Sequence, residues 1–236
     1  MDNLKKALTK LNIEFTDEQI NQYEAYMNRI LELNESINLT AITDRYEFVQ
    51  KHYIDSLLCA DYEEFLGATT IIDVGTGGGF PGIPLAIAFP DKEFVLMDSL
   101  NKRIKVIQNL CDEIGIGNVK AIHGRAEELA RQKDLRESFD ICVSRAVANM
   151  STLSEYCIPF VKEGGAFIAY KGPDCDDEIA EASTAIERLG GGEVRIEHPK
   201  MENTGFEHTL VFLKKIKKTP KSYPRKAGTP SKNPIK

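Results

Sequence analysis

Apolar and polar positions follow two rhythms along this chain. In residues 1–66 the apolar positions recur at helical spacing, with Ile20, Tyr23, Met27, Ile30 and Leu31 on one face. Thr16 and Gln19 form a Thr-x-x-Gln capping box just ahead of them. Phe15 and Ile20 are spaced for a hydrophobic staple, so a helix should begin there. A second helical stretch is expected over 46–66. From Thr69 onward, short apolar runs alternate with helical patterns. TTIIDVG, EFVLMDS, NVKAIHG, FDICVSRA and GAFIAYKG read as strands; PGIPLAIAF, NKRIKVIQNLCDEI, AEELARQKDL, MSTLSEYCIPFVKE and DDEIAEASTAIERL read as helices. Nearly continuous apolar strands separated by helices predict a mostly parallel sheet covered on both faces. The last two runs, GEVRIEH and HTLVFLKKI, have no helical pattern between them, which predicts an antiparallel strand closing the sheet.

Composition changes this picture little. With 236 residues, 42% of them hydrophobic, the chain can bury a real core. No run has the apolar length of a membrane helix and the first residues hold no apolar signal core, so a protein without a membrane anchor is expected. The five scattered cysteines read as reduced, buried thiols of a cytoplasmic protein, and no Cys/His cluster has metal-ligand spacing. Charge is more informative. The net charge of −6 conceals nine Lys or Arg and no acid between Lys214 and Lys236. The organisation expected is a helical cap over 1–66, an α/β domain over 67–216, and a basic tail over 217–236. Four of the ten prolines fall in that tail, so no packed structure is expected there, and its charge suits phosphate contacts.

The candidate chemistry centres on IIDVGTGGGFPGIPLAI, where five glycines fall within eight positions. At the carboxyl end of the first strand of a doubly wound sheet, such a turn lets backbone approach a ligand. Gly77 to Gly82 formally fits the dinucleotide pattern G-x-G-x-x-G, a weak signal when alone. The alternative, Asp73-Val-Gly75-Thr-Gly77-Gly-Gly79, resembles the S-adenosylmethionine (SAM) loop of Rossmann-like methyltransferases. A diphosphate wants helix-end N–H groups and no neighbouring carboxylate. SAM carries no phosphate, so Asp73 favours it. Asp98 ends the second strand, where an acid accepts hydrogen bonds from ribose hydroxyls; its plain structural alternative is a helix N-cap. Ala126 and Glu127 follow the third strand, where a backbone amide and a side chain can frame an adenine. Arg145 ends the fourth strand; burying an Arg there requires an anion, whether a ligand or a structural partner such as Glu127 or Asp98. His52 and Asp55 share a helix face, and a polar contact tying the cap to the sheet is the favoured reading. His123 reads as structural, and Lys102 and Arg103 as exposed helix-face cations.

Together these segments carry a resemblance. Asn38-Leu39-Thr40-Ala41-Ile42, His52-Tyr53-Ile54-Asp55-Ser56-Leu57, the glycine turn, Asp98-Ser99 with Lys102-Arg103, Ser144-Arg145-Ala146 and Tyr170-Lys171-Gly172 stand in the order found in the bacterial 16S ribosomal RNA guanine-N7 methyltransferase family, also called glucose-inhibited division protein B. The tail YPRKAGTPSKNPI resembles the ending of one branch of it. Gly78 departs from the Ala or Pro expected there, without cost to binding. The resemblance implies a Rossmann-like SAM-dependent methyltransferase with a seven-stranded sheet. It implies SAM contacts by Gly75, Phe80, Ala126, Glu127 and Arg145, to which the placement above adds Gly77 and Asp98. Arg145 is the candidate catalytic residue, and its replacement by alanine is expected to lower turnover while leaving the fold intact. The partner implied is 16S ribosomal RNA or the small ribosomal subunit, acted on by a monomer. Rival readings are a SAM enzyme for a small molecule, a nicotinamide-dependent dehydrogenase, and a ribosome-binding module without activity.

Overall fold

The computed structural model describes residues 1–199 and 209–236. His208, the first residue of the last predicted strand, lies outside them. The chain opens with α1 (Asp2–Lys10), α2 (Asp17–Asn34), α3 (Arg45–Phe48), α4 (Asp55–Leu57) and α5 (Glu63–Leu66). The alternating part follows as β1 (Thr70–Val74), α6 (Gly82–Ala88), β2 (Glu93–Asp98), α7 (Asn101–Ile114), β3 (Val119–His123), α8 (Ala126–Leu129), β4 (Phe139–Arg145), α9 (Met150–Cys157) and β5 (Val161–Lys171). Then come α10 (Asp176–Glu181), α11 (Ser183–Arg188), β6 (Gly191–Glu197), β7 (Thr209–Lys215) and α12 (Thr229–Lys232).

The seven strands form one sheet in the order β3-β2-β1-β4-β5-β7-β6. β3 to β5 pair in parallel along that order, and β7 runs antiparallel to both neighbours. The antiparallel strand therefore sits between β5 and β6 rather than closing the edge, which falls to β6. The strand order reverses between β1 and β4, and this is where open α/β sheets bind ligands.

Alternation along the strands sorts the core into two layers. Ile71, Ile168 and Phe212 face one side, packed with α2, α6, α7 and the other N-terminal helices. Ile72, Phe167 and Val211 face the other, against α9, α10 and α11. The N-terminal helices thus share a continuous core with one sheet face. Their entry is fixed as expected: Thr16 N–H donates to Gln19 Oε1 (2.8 Å), and Gln19 N–H donates to Thr16 Oγ1 (3.2 Å).

Several predicted boundaries move. The 46–66 helix breaks into α3, π-helical turns at Val49–Ile54, α4 and α5. The helix from Ala126 stops at Leu129, because Arg131 to Asp134 are all exposed and offer nothing to bury. The helix from Met150 ends at Cys157; Pro159 lies in a 3-10 turn, and β5 begins already at Val161. The largest correction is the tail, which is packed. Arg136 donates to the carbonyls of Thr219 (2.8 Å) and Tyr223 (2.9 Å). Thr152 Oγ1 donates to Pro230 O (3.1 Å), and Ile235 is buried. The partners holding the tail lie on the domain, so the tail's own composition could not reveal them.

Candidate functional site

Asp73 is the penultimate residue of β1 and is fully buried. Its Oδ2 accepts from Thr76 Oγ1 (2.7 Å) and from Gly82 N–H (2.8 Å), bracing both ends of the glycine turn. Burial raises its pKa to about 6, against the pull of those hydrogen bonds. Asp73 thus serves the loop rather than facing a ligand. The consequence for nucleotide choice is stronger than charge alone implied: the amide at the start of α6, which a diphosphate would need, already holds a carboxylate.

The loop is tied to the neighbouring strand. Gly75 and Thr76 N–H groups both donate to Met97 O (2.9 and 3.0 Å). Gly75 sits at φ +77°, and a Cβ there would come within 2.5 Å of Val147 Cγ2, so only glycine fits. Asp98 closes the arrangement. Its Oδ2 accepts from Gly77 N–H (3.1 Å) and lies 3.5 Å from Arg103 Nη1; its Oδ1 accepts from Leu100 N–H (2.8 Å). Asp98 therefore braces the turn into α7, whose cap position is Leu100.

A cavity of about 310 Å³ opens beside this loop. Gly75, Asp98, Arg103, Ala126, Glu127 and Tyr156 are among the residues that line it. Four of the sequence-predicted contacts thus meet in one cavity. Gly77 reaches it through Asp98. Glu127 is buried, and its Oε1 accepts from Gly228 N–H (2.8 Å), in the tail. Arg103, read as an exposed cation, is half-buried at the cavity wall.

Phe80 and Arg145 are not among the residues lining this cavity; they stand toward the N-terminal helices. Phe80 is buried and stacks on His52 (ring centroids 4.2 Å apart, planes 4° apart), with the Arg145 guanidinium 5.8 Å from its ring. Arg145 Nη1 pairs with Asp55 and donates to Lys51 O (3.0 Å), while Nη2 donates to His52 Nδ1 (3.3 Å). His52 Nε2 lies 2.6 Å from Thr40 Oγ1. The structural partner of Arg145 is therefore Asp55, not Glu127 or Asp98, and His52 with Asp55 does tie cap to sheet. His123, at the end of β3, meets only the Ser99 carbonyl (3.2 Å) among the hydrogen bonds of the described residues. Burial first, and the Arg145 charge second, lower the His52 pKa to about 3.

Those shifts set opposite slopes in acid. His52 is held neutral, so its contribution to stability is complete above pH 6.5 and is lost as pH falls toward 3. The buried Asp73 retains a proton that the unfolded chain releases, so stability declines as pH rises from 3.8 to about 6. His52→Gln should therefore lose less melting temperature than wild type between pH 6.5 and 4, as thermal melts across that range will report.

Sequence reasoning missed Val147, Tyr156 and Gly228. Val147 follows Ala146, which holds φ +58° without being glycine, a strained turn with no sequence signal. Lys171 braces that turn by donating to Ala148 O (2.9 Å).

Comparison with known proteins identifies the family. The profile of the family described as "GidB: rRNA small subunit methyltransferase G" matches residues 19–206. The chain belongs to the rRNA small subunit methyltransferase G family. Relatives named Ribosomal RNA small subunit methyltransferase G share 51% identity in Clostridium botulinum (strain Eklund 17B / Type B; all of this chain, 98% of the relative) and 49% in Clostridium novyi (99% and 96%). Solved structures with the same fold include TYW2 of M. jannaschii in complex with AdoMet (TM-score 0.53, 16% identity, 75% of this chain and 80% of that one). An O-methyltransferase from Bacillus cereus in complex with SAH is another (TM-score 0.53, 16%, 80% and 89%). As a small subunit methyltransferase G, the chain is a SAM-dependent enzyme. Its cavity suits that group: it is within the range of small-molecule sites, the Asp98 carboxylate at the end of β2 lines it, and the Gly82 amide at the start of α6 already holds a carboxylate.

Proposed function

We propose that this protein methylates N7 of a guanine in 16S ribosomal RNA, with Gly75, Gly77, Asp98, Ala126 and Glu127 holding SAM and with Phe80 and Arg145 forming the acceptor side. The observation that carries this reading is the cavity on Gly75, Asp98 and Glu127, in a chain matched along its length by small-subunit RNA methyltransferases. Bound SAM supplies an electrophilic methyl group on a cationic sulfur. Guanine N7 keeps a free lone pair at neutral pH, so no residue need remove a proton. The acceptor side fits that economy: His52, with its pKa near 3, is too weak a base to work at pH 7, and Arg145 is a fixed donor. Arg145 acts through position and charge, donating toward the guanine edge while Asp55 and His52 hold its fork in place. An A-form helix buries N7 in a deep narrow groove, so the target base is unpaired or drawn from its stack.

The substrate is rRNA or the small subunit, the enzyme a monomer, and its place of work the cytoplasm where ribosomes assemble. No helix among the described residues is long and apolar enough to cross a membrane. The direct test is mass mapping of 16S RNA after incubation with isotope-labelled SAM. Label on one guanine base supports the reading; label only on small molecules, undisturbed by added RNA, overturns it.

Within the packed tail, Lys221, Lys226, Lys232 and Lys236 remain exposed and offer phosphate contacts. Truncation after Lys218 would now test two things at once, because it also removes Arg225 from Glu155. Changing those four lysines to glutamine keeps the packing. It should lower RNA affinity and flatten its log–log salt dependence by roughly 0.7–0.9 per lost contact. An unchanged slope would show that the tail does not touch RNA.

A further inference from the structure

The C-terminal segment is bound to the domain at the cavity wall. Glu155 lies on α9 with a side chain that is 0% exposed, a buried carboxylate. Arg225 occupies it on three sides: backbone N–H to Oε1 (2.6 Å), Nε to both oxygens (3.0 Å each), and Nη2 to Oε2 (2.7 Å). Arg131 Nη2 donates to Pro224 O (2.5 Å) and anchors the preceding residue from just beyond α8. Three positions beyond Arg225, Gly228 turns at φ +81° and points its N–H at Glu127 Oε1, 2.8 Å away. Glu127 is 4% exposed, and this is the one hydrogen bond of its side chain among the described residues. Tyr156, the next residue after Glu155, lines the same cavity. One side chain of the cofactor wall is thus oriented by a backbone amide from the far end of the chain.

We propose that residues 219–236 form a strap that positions Glu127 for SAM, with Arg225–Glu155 as its anchor and the Gly228 amide as the positioning contact. An ionised carboxylate accepts at both oxygens. Gly228 takes Oε1 and fixes the carboxylate plane, which leaves Oε2 for the cofactor. Without the amide, Glu127 must choose its rotamer at the moment of binding, which weakens affinity and leaves the chemical step alone. The anchor is strong because Glu155 is buried and paired with the Arg225 guanidinium, so the segment cannot leave without stranding that carboxylate. The inference rests on the reading of Glu127 as a cofactor contact.

Linkage supplies a test in the intact protein. If the strap tightens SAM binding, SAM must tighten the strap by the same factor. Hydrogen exchange over residues 225–231 should slow severalfold on saturation with SAM; unchanged exchange there overturns the proposal. Variants give the second arm. Arg225→Ala and Gly228→Ala should raise the calorimetric Kd for SAM about tenfold, with turnover at saturating SAM within about twofold of wild type. Gly228→Asn should recover most of the affinity, since Asn tolerates the left-handed backbone and nothing lies within 4 Å of a Cβ there. Glu127→Ala separates the two layers. If it weakens SAM while the strap variants do not, the strap is only structural. If it leaves Kd unchanged, the reading of Glu127 fails and the strap proposal falls with it.

Discussion

Arg145→Ala should lose about 3–5 kcal/mol of stability together with at least roughly a hundredfold in turnover. The first loss follows from burial. The Arg145 side chain is 15% exposed and its partner Asp55 6%, so removing the guanidinium takes the paired cation from a carboxylate buried between the cap and the sheet. Where the sequence led to the expectation of an intact fold, the buried ion pair adds that the variant should melt early. The same substitution also frees His52 Nδ1 and the Lys51 carbonyl from their donor. Loss of activity in this variant alone cannot distinguish a catalytic Arg145 from a structural one. The informative protein is Arg145→Met with Asp55→Leu, in which both charges go and apolar groups of similar length replace them. Such pairs are often as stable as the ion pair they replace. Thermal melts should place the double variant near wild type, while single-turnover methylation of 16S RNA stays low. Wild-type turnover in the double variant would reduce Arg145 to a tie between two layers.

What could be read from the sequence follows the strength of the local signal. The strands β1 to β5 and the helix α7 are legible because their apolar runs are long and bounded by glycine or polar turns. The Thr16 and Gln19 cap is legible because both partners lie three residues apart. Gly75, Asp98, Ala126 and Glu127 meet in one cavity because each lies at or next to the end of a strand or the start of a helix, and topology brings those ends together. The failures share one cause, a partner distant in sequence. Asp73 reads as an electrostatic neighbour of the ligand until Gly82 and Thr76 are seen to take its Oδ2. The tail reads as disordered because its prolines and lysines hide that Glu155, 70 positions away, waits for Arg225. Phe80 lies inside the glycine motif, yet its ring turns to His52 because the loop folds back onto α2 and the π-helical turns.

Asp98→Asn should weaken SAM binding by about 10²–10⁴-fold while leaving the melting temperature close to wild type. The contrast decides between two roles for one carboxylate. As a brace, Asp98 accepts the Leu100 amide through Oδ1, and asparagine does that nearly as well, being as good a cap as aspartate. As a cofactor grip, Asp98 must accept on its other side as well. There Gly77 N–H already points at Oδ2 from 3.1 Å and Arg103 Nη1 stands at 3.5 Å. An ionised carboxylate has about four acceptor positions, so the Leu100 and Gly77 amides leave two for ribose hydroxyls. The amide of asparagine turns an NH2 toward Gly77 and Arg103, setting donor against donor, and has nothing to offer the ribose. Two hydrogen bonds to a charged acceptor, each about 1.5–3 kcal/mol, account for the expected range. Alanine at the same place should lose the affinity and the brace together, and so melt earlier than asparagine. Calorimetric titration with SAM beside thermal melts of both variants separates the roles. SAM binding by Asp98→Asn at wild-type strength would leave Asp98 as the brace of α7 and nothing more.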